Sequence, residues 1–286
     1  MSLQDKAVLV RLSMGQWGAR KLDKRISHDA ADAAGCGQEW VRAWKTLVDP
    51  ASLKPINDVQ VEARTYHYGV TCPWDDHGGR ILPNALYLEY VQRMGESKAK
   101  QASLVGALAS QYSYLRAEAK RVLNGAFSEA DYPPDISVKY HFDLEIRPVP
   151  SASDIRVDVS DDELARLRSE VESGIQEQLR GAMSDLWRRL REVVGAVATQ
   201  LPKYDKGQIK RFHDTLVGNI RETCRILPKL NITDDPDLNS LAAQVQADLC
   251  KWSPADLRAN KVVRAQVATK ASDLLSRIDS LKGVIA

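Results

Sequence analysis

Asp75, Asp76 and His77 stand side by side in the segment Cys72-Pro73-Trp74-Asp75-Asp76-His77-Gly78-Gly79-Arg80. Two carboxylates and an imidazole are ligands for a divalent ion, and His67 lies upstream across an expected hairpin. Adjacent residues on one turn rarely converge on a single ion without distant partners. The same residues read better as turn chemistry, with the aspartates bonding nearby backbone N–H groups and His77 facing solvent. No metal site is therefore expected. An aromatic residue on a loop beside charges is a plausible interface anchor. Trp74, Asp75, Asp76, Gly78, Gly79 and Arg80 are accordingly expected to form an interaction loop.

Two basic clusters could meet phosphates. Arg20, Lys21, Lys24 and Arg25 lie near Trp17, and Arg188, Arg189 and Arg191 flank Trp187. A cationic face beside an indole suits nucleic acid, because the ring offers a stacking platform. The expected contact set is Arg20, Lys21, Arg25, Arg188, Arg189 and Arg191. Asp23 dilutes the first cluster, and Asp185 and Glu192 the second.

Other chemistry lacks its signature. There is no GxxxxGK[ST] phosphate loop and no GxGxxG opening a helix. Gly15-Gln16-Trp17-Gly18 follows an expected strand but has neither the third glycine nor the lysine. No GxSxG nucleophile elbow, HExxH pair or EF-hand loop occurs. No catalytic residue and no cofactor is expected, so the chain reads as non-enzymatic. Cys36, Cys72, Cys224 and Cys250 include no CxxC pair and are expected as reduced thiols packed as small apolar residues.

The elements that would hold these residues follow from periodicity. Ala7 to Leu12 reads as a strand, 19–34 and 38–47 as helices, and 59–71 as a second strand. From Asn84 to Asn124 there is no proline, and apolar residues recur at helical spacing until Asn124-Gly125 offers a left-handed stop. Residues 137–147 alternate strictly, which predicts a strand with one buried face. Ser160-Asp161-Asp162-Glu163 has the order of a capping box. The helix after it carries Leu164, Leu167, Val171, Ile175, Leu179, Leu186, Leu190, Val193, Val197 and Leu201. Roughly 40 residues at 1.5 Å each would span about 60 Å. Further helices are expected over 205–227, after Asp235-Pro236, and after Ser253-Pro254. The predicted fold is α+β and predominantly α. A mixed domain over 1–150, with a small antiparallel sheet from 7–12, 59–71 and 137–147, precedes an elongated helical bundle over 151–286. So long a helix predicts self-association.

Composition narrows the function. The chain has 286 residues, 44% hydrophobic and 27% charged, enough for a sizeable core. Residues 1–150 carry 19 basic and 18 acidic side chains, and residues 151–286 carry 21 and 20. Neither half has the basic excess of a nucleic-acid domain, which ranks DNA binding below protein interaction. No apolar run is long enough for a signal peptide or a membrane span, so a soluble cytoplasmic protein is expected.

Three segments carry a family resemblance: KAVLVRLSMGQWGARKLDKR, PWDDHGGRILP and FDLEIRPVPSASDIRVDVSDDELARLR. Spread over residues 6–168, they resemble the phage and prophage domain of unknown function 3150 family. That resemblance implies a phage accessory protein in the cytoplasm of a bacterial host. Such genes often neighbour those of an AAA-type ATPase, which implies an adaptor or structural partner of an ATPase module. It transfers no catalytic residue. A DNA-binding factor of phage replication, recombination or counter-defence is the alternative.

Overall fold

The computed structural model describes residues 2–204 and 214–285. The fold is α+β and predominantly α, 69% helical with a small antiparallel sheet. A short helix α1 (Leu3–Lys6) leads into β1 (Ala7–Gly15). Then come β2 (Arg20–Asp23), α2 (Lys24–Ala34), β3 (Ala43–Thr46), α3 (Lys54–Gly69), β4 (Cys72–Pro73) and β5 (Arg80–Pro83). The long α4 (Asn84–Leu123) precedes β6 (His141–Pro148), and α5 (Asp161–Gln200) opens the final helical series. That series is α6 (Thr215–Leu230), α7 (Pro236–Leu249), α8 (Pro254–Ala259) and α9 (Lys261–Ile285).

The sheet has the order β4-β5-β1-β6, with Ala7 opposite Pro83 and Val10 opposite Arg80. β2 and β3 form a separate antiparallel ribbon, with Leu22 opposite Trp44. The chain divides into two compact units. One takes residues up to Arg11, Tyr68–Glu89 and everything from Glu145 on; the other takes Leu12–His67 and Tyr90–Leu144.

In the second unit the core gathers Leu47, Leu53, Ile56, Leu108, Tyr112, Tyr132 and Ile136. Several of its buried polar groups are paired, as burial favours. The Tyr132 hydroxyl donates to the Leu47 carbonyl at 2.8 Å, and Gln60 Nε2 donates to the Gly15 carbonyl at 2.9 Å. His67 Nδ1 and the Tyr90 hydroxyl lie 2.7 Å apart. In the first unit α5 packs on α6 and α9, and α6 on α7. Leu186, Leu190, Val194, Ile220, Leu238, Val245 and Ile278 fill that core.

Caps behave as their residue types dictate. The Ser160 hydroxyl accepts the Glu163 N–H at 3.4 Å, while the Glu163 carboxylate turns to Arg166 instead of closing a capping box. Asp235 accepts the N–H groups of Asp237 and Leu238, with Pro236 at the first helical position. Asn124 adopts φ 45° at the end of α4, the left-handed stop expected there.

Four expectations are corrected. Residues 59–71 belong to α3, and β5 takes the expected place of that strand in the sheet. Residues 38–47 are a single 3₁₀ turn followed by β3, and 19–34 begin as β2 before α2 starts at Lys24. The strand expected over 137–147 begins at His141, and Val138 is 72% exposed in a 3₁₀ turn. In the helix expected over 205–227, residues 205–213 lie outside the described residues, and α6 begins at Thr215.

Candidate interaction sites

The loop between β4 and β5 is built by Asp75. Its Oδ1 accepts the backbone N–H groups of His77 and Gly79, both at 2.8 Å. The Gly79 carbonyl accepts from Trp74 and Asp75 in return. Gly78 sits at φ 86°, and a Cβ on Gly79 would collide with the Asp75 carboxylate, so both positions need glycine. Of the expected interaction residues, Trp74 is buried at 6% exposure and faces the core. Asp75, Asp76, His77 and Gly78 are exposed at the tip.

Arg80 turns inward from that tip. Its Nε donates to Thr71 Oγ1 at 2.6 Å and its Nη2 to the Thr71 carbonyl at 2.9 Å, with the guanidinium 4.7 Å from the centre of the Tyr68 ring. Burial, then the nearby Arg189, hold its pKa below the usual arginine value. Burial likewise pushes the neighbouring Cys72 thiol up to about 12.

The second basic cluster is spent within the chain. Arg189 donates to Asp185 Oδ2 through Nε at 2.8 Å, to the Gly69 carbonyl at 3.0 Å and to the Thr71 carbonyl at 2.6 Å. Arg188 bonds Glu192 at 2.7 Å and also Asp185, and these bonds raise its pKa. Arg191 bonds Asp279 at 2.6 Å, with the same effect. Trp187 is buried and donates Nε1–H to Asp235 at 3.2 Å, so it offers no stacking face. These arginines serve as packing and counter-charge.

The first cluster is open. Arg20 and Lys21 are successive exposed residues of β2, so they project to opposite faces of the ribbon. Arg25, on α2, lies 3.7 Å from Asp29, both about two-thirds exposed, a pair of little energetic consequence. Arg20 and Leu22 share a ribbon face with Trp44 and Thr46. Trp44 is 57% exposed and Trp40, in the preceding turn, 81%. The inner face is ionic: Lys45 Nζ lies 2.6 Å from Asp131 and 3.5 Å from Asp23, all about 10% exposed. The bond to Asp131 raises the Lys45 pKa above its ordinary value. Both tryptophans, expected on a helix, stand instead in a 3₁₀ turn and on β3. Its signal was the alternation over Ala43–Thr46.

A further surface lies on α5. Every fully buried residue of this helix falls at or after Ala182. Yet the apolar stripe continues through the first half, where Leu164, Leu167, Val171, Ile175 and Leu179 are only half-buried. Glu163 and Arg168 border the first turns of the stripe, Leu164 to Val171, at the positions that flank a coiled-coil seam.

Among the described residues no group of three His, Cys, Asp or Glu side chains is placed to hold a metal ion. No described helix is long and apolar enough to cross a membrane. Compared with known proteins, the chain matches no protein family, no curated protein and no solved structure.

Proposed function

We propose that this protein is a non-enzymatic interaction factor that self-assembles through the first half of α5. The observation that carries the reading is the half-buried stripe Leu164, Leu167, Val171, Ile175 and Leu179, on a stretch of helix with no fully buried residue. About 20 helical residues present about 30 Å of seam. An amphipathic helix gains most of its stability by covering such a face. The occupant is a second copy of this chain. In a parallel pair, Glu163 of one copy stands at the spacing that meets Arg168 of the second, twice by symmetry. The resemblance to a phage family supplies the setting, an adaptor or structural partner of an AAA-type ATPase module in a bacterial host.

Light scattering at micromolar concentration tests the assembly. A dimer or larger species that Val171→Glu converts to monomer, with unchanged helicity, is the expected result. A wild-type monomer at every concentration refutes it. The ATPase setting is tested by co-expression with an AAA-type ATPase and co-elution on size exclusion.

A second reading, DNA contact, draws on the open ribbon face with Arg20, Trp40 and Trp44. It predicts binding that weakens steeply with salt. Unchanged mobility of single- and double-stranded DNA at low salt removes it.

A further inference from the structure

Exposure alternates along the stretch that enters β3. Trp40, Arg42, Trp44 and Thr46 are exposed, while Val41, Ala43 and Lys45 between them are partly buried. The period is two because the backbone is extended at Val41 (φ -119°, ψ 126°) and again through β3. Two contacts hold the stretch in place. The Ala43 N–H donates to Ser27 Oγ on α2 at 2.9 Å, and Lys45 Nζ donates to the Ala126 carbonyl at 2.8 Å beside its bond to Asp131. The outward set is an indole, a guanidinium and an indole in line. Arg20 joins it across the ribbon, opposite Thr46.

The positive charge of this face is not spent within the chain. Among the described residues the Arg20 and Arg42 side chains meet no carboxylate, whereas Arg188, Arg189 and Arg191 each meet one. The acids of α2 are paired, Asp29 with Arg25 and Asp32 with His28. Glu39, the one acid of residues 38–48, folds back over Gly37. Flat apolar rings beside free guanidinium groups match the two things a nucleic-acid strand presents, base faces and phosphates.

Spacing selects the form of that strand. Outward side chains recur about every 6.6 Å along an extended chain. Bases inside a duplex stack about 3.4 Å apart and show a protein only their edges. An indole therefore stacks only on a base that is already splayed, as in a single strand. Trp40 and Trp44, four residues apart, are separated by about 13 Å along the chain, which leaves room for Arg42 between two stacked bases.

We propose, resting on the DNA reading above, that this outward ribbon face binds single-stranded DNA in preference to duplex, with bases stacked on Trp40 and Trp44 and phosphates held by Arg42 and Arg20. The inward latch at Lys45 keeps the ribbon in place, so the rings are presented without reordering of the backbone.

The test measures fluorescence anisotropy of a labelled oligothymidylate and of a labelled duplex of equal length, with the full chain at low salt. The single strand is expected to bind at least about tenfold tighter than the duplex. Trp40→Ala should weaken single-strand binding about tenfold. Arg42→Ala should flatten the fall of affinity with salt by about one phosphate contact. Both side chains are exposed, so both variants should keep the wild-type melting temperature. Equal affinity for the duplex, or single-strand binding unchanged in both variants, overturns the inference and leaves DNA contact elsewhere on the chain standing. Polyglutamate binding as tightly as oligothymidylate overturns it too, because the face would then read charge alone. Failure of both DNA probes to bind removes the DNA reading and the inference together.

Discussion

The Arg189 guanidinium donates to the Thr71 carbonyl at 2.6 Å across 118 positions of chain, and that carbonyl also accepts from Arg80. Arg189 is the centre of a partly buried network with Asp185 and Gly69. Arg189→Ala leaves Asp185 with Arg188 and the Thr71 carbonyl with Arg80 as remaining partners, and should cost about 1 kcal/mol in urea unfolding. Arg189→Lys should recover only part, because one ammonium cannot replace a planar fork. A loss under about 0.5 kcal/mol for the alanine variant would mean that water already satisfies these groups.

Lys45 gives the protein an alkaline limit. Its folded pKa is raised, chiefly by the bond to Asp131, above the ordinary 10.5. A raised pKa contributes stability that is complete below the unfolded value and is lost as pH climbs through the folded one. Asp23 runs the other way: the Ile26 N–H lowers its pKa below 3.8, so its contribution holds above that value and fades as pH falls. Lys45→Met should lower the melting temperature by several degrees at neutral pH and flatten the decline above pH 10. An identical alkaline slope in wild type and variant would remove Lys45 as the cause.

The Asp75 turn permits a coupling measurement. Asp75→Ala removes the acceptor of two backbone N–H groups and should cost about 1 kcal/mol. Gly79→Ala forces its methyl against the Asp75 carboxylate and should cost about 1–3 kcal/mol. In the double variant the carboxylate is gone, so the two costs should sum to more than the measured total. Strict additivity would show that the collision does not decide the glycine.

Trp40 separates stability from binding. At 81% exposure its replacement by alanine should change stability by no more than about 0.5 kcal/mol. Trp44, opposite Leu22, should cost about 1 kcal/mol when truncated. If DNA uses this face, adding a short single strand at low salt should quench tryptophan fluorescence, and the double variant should lose most of that change. Equal quenching in wild type and double variant would place any contact elsewhere.

What the sequence revealed depended on how local the signal was. The 40-residue helices α4 and α5, the Asp235-Pro236 and Ser253-Pro254 starts and the Asn124 stop were legible, because each is written in adjacent residues. α3 was misread because two of its buried positions, Gln60 and His67, are polar and hide the helical stripe Ile56, Val59, Ala63. The β3 ribbon was misread because its inward residue is Lys45, which the fold neutralises with Asp23 and the distant Asp131. The first-half stripe of α5 was visible, but that it stays half-covered is a tertiary fact.

The interleaving of the two units sets an order on synthesis. Leu12–His67 and Tyr90–Leu144 are complete in one unit once residue 144 has left the ribosome. The residue before the opening strand must wait: Lys6 finds Asp234 across 228 positions. A nascent chain can therefore pair Ala7 to Val10 with β5 soon after residue 83 emerges, while Lys6 meets Asp234 only when the later helices follow.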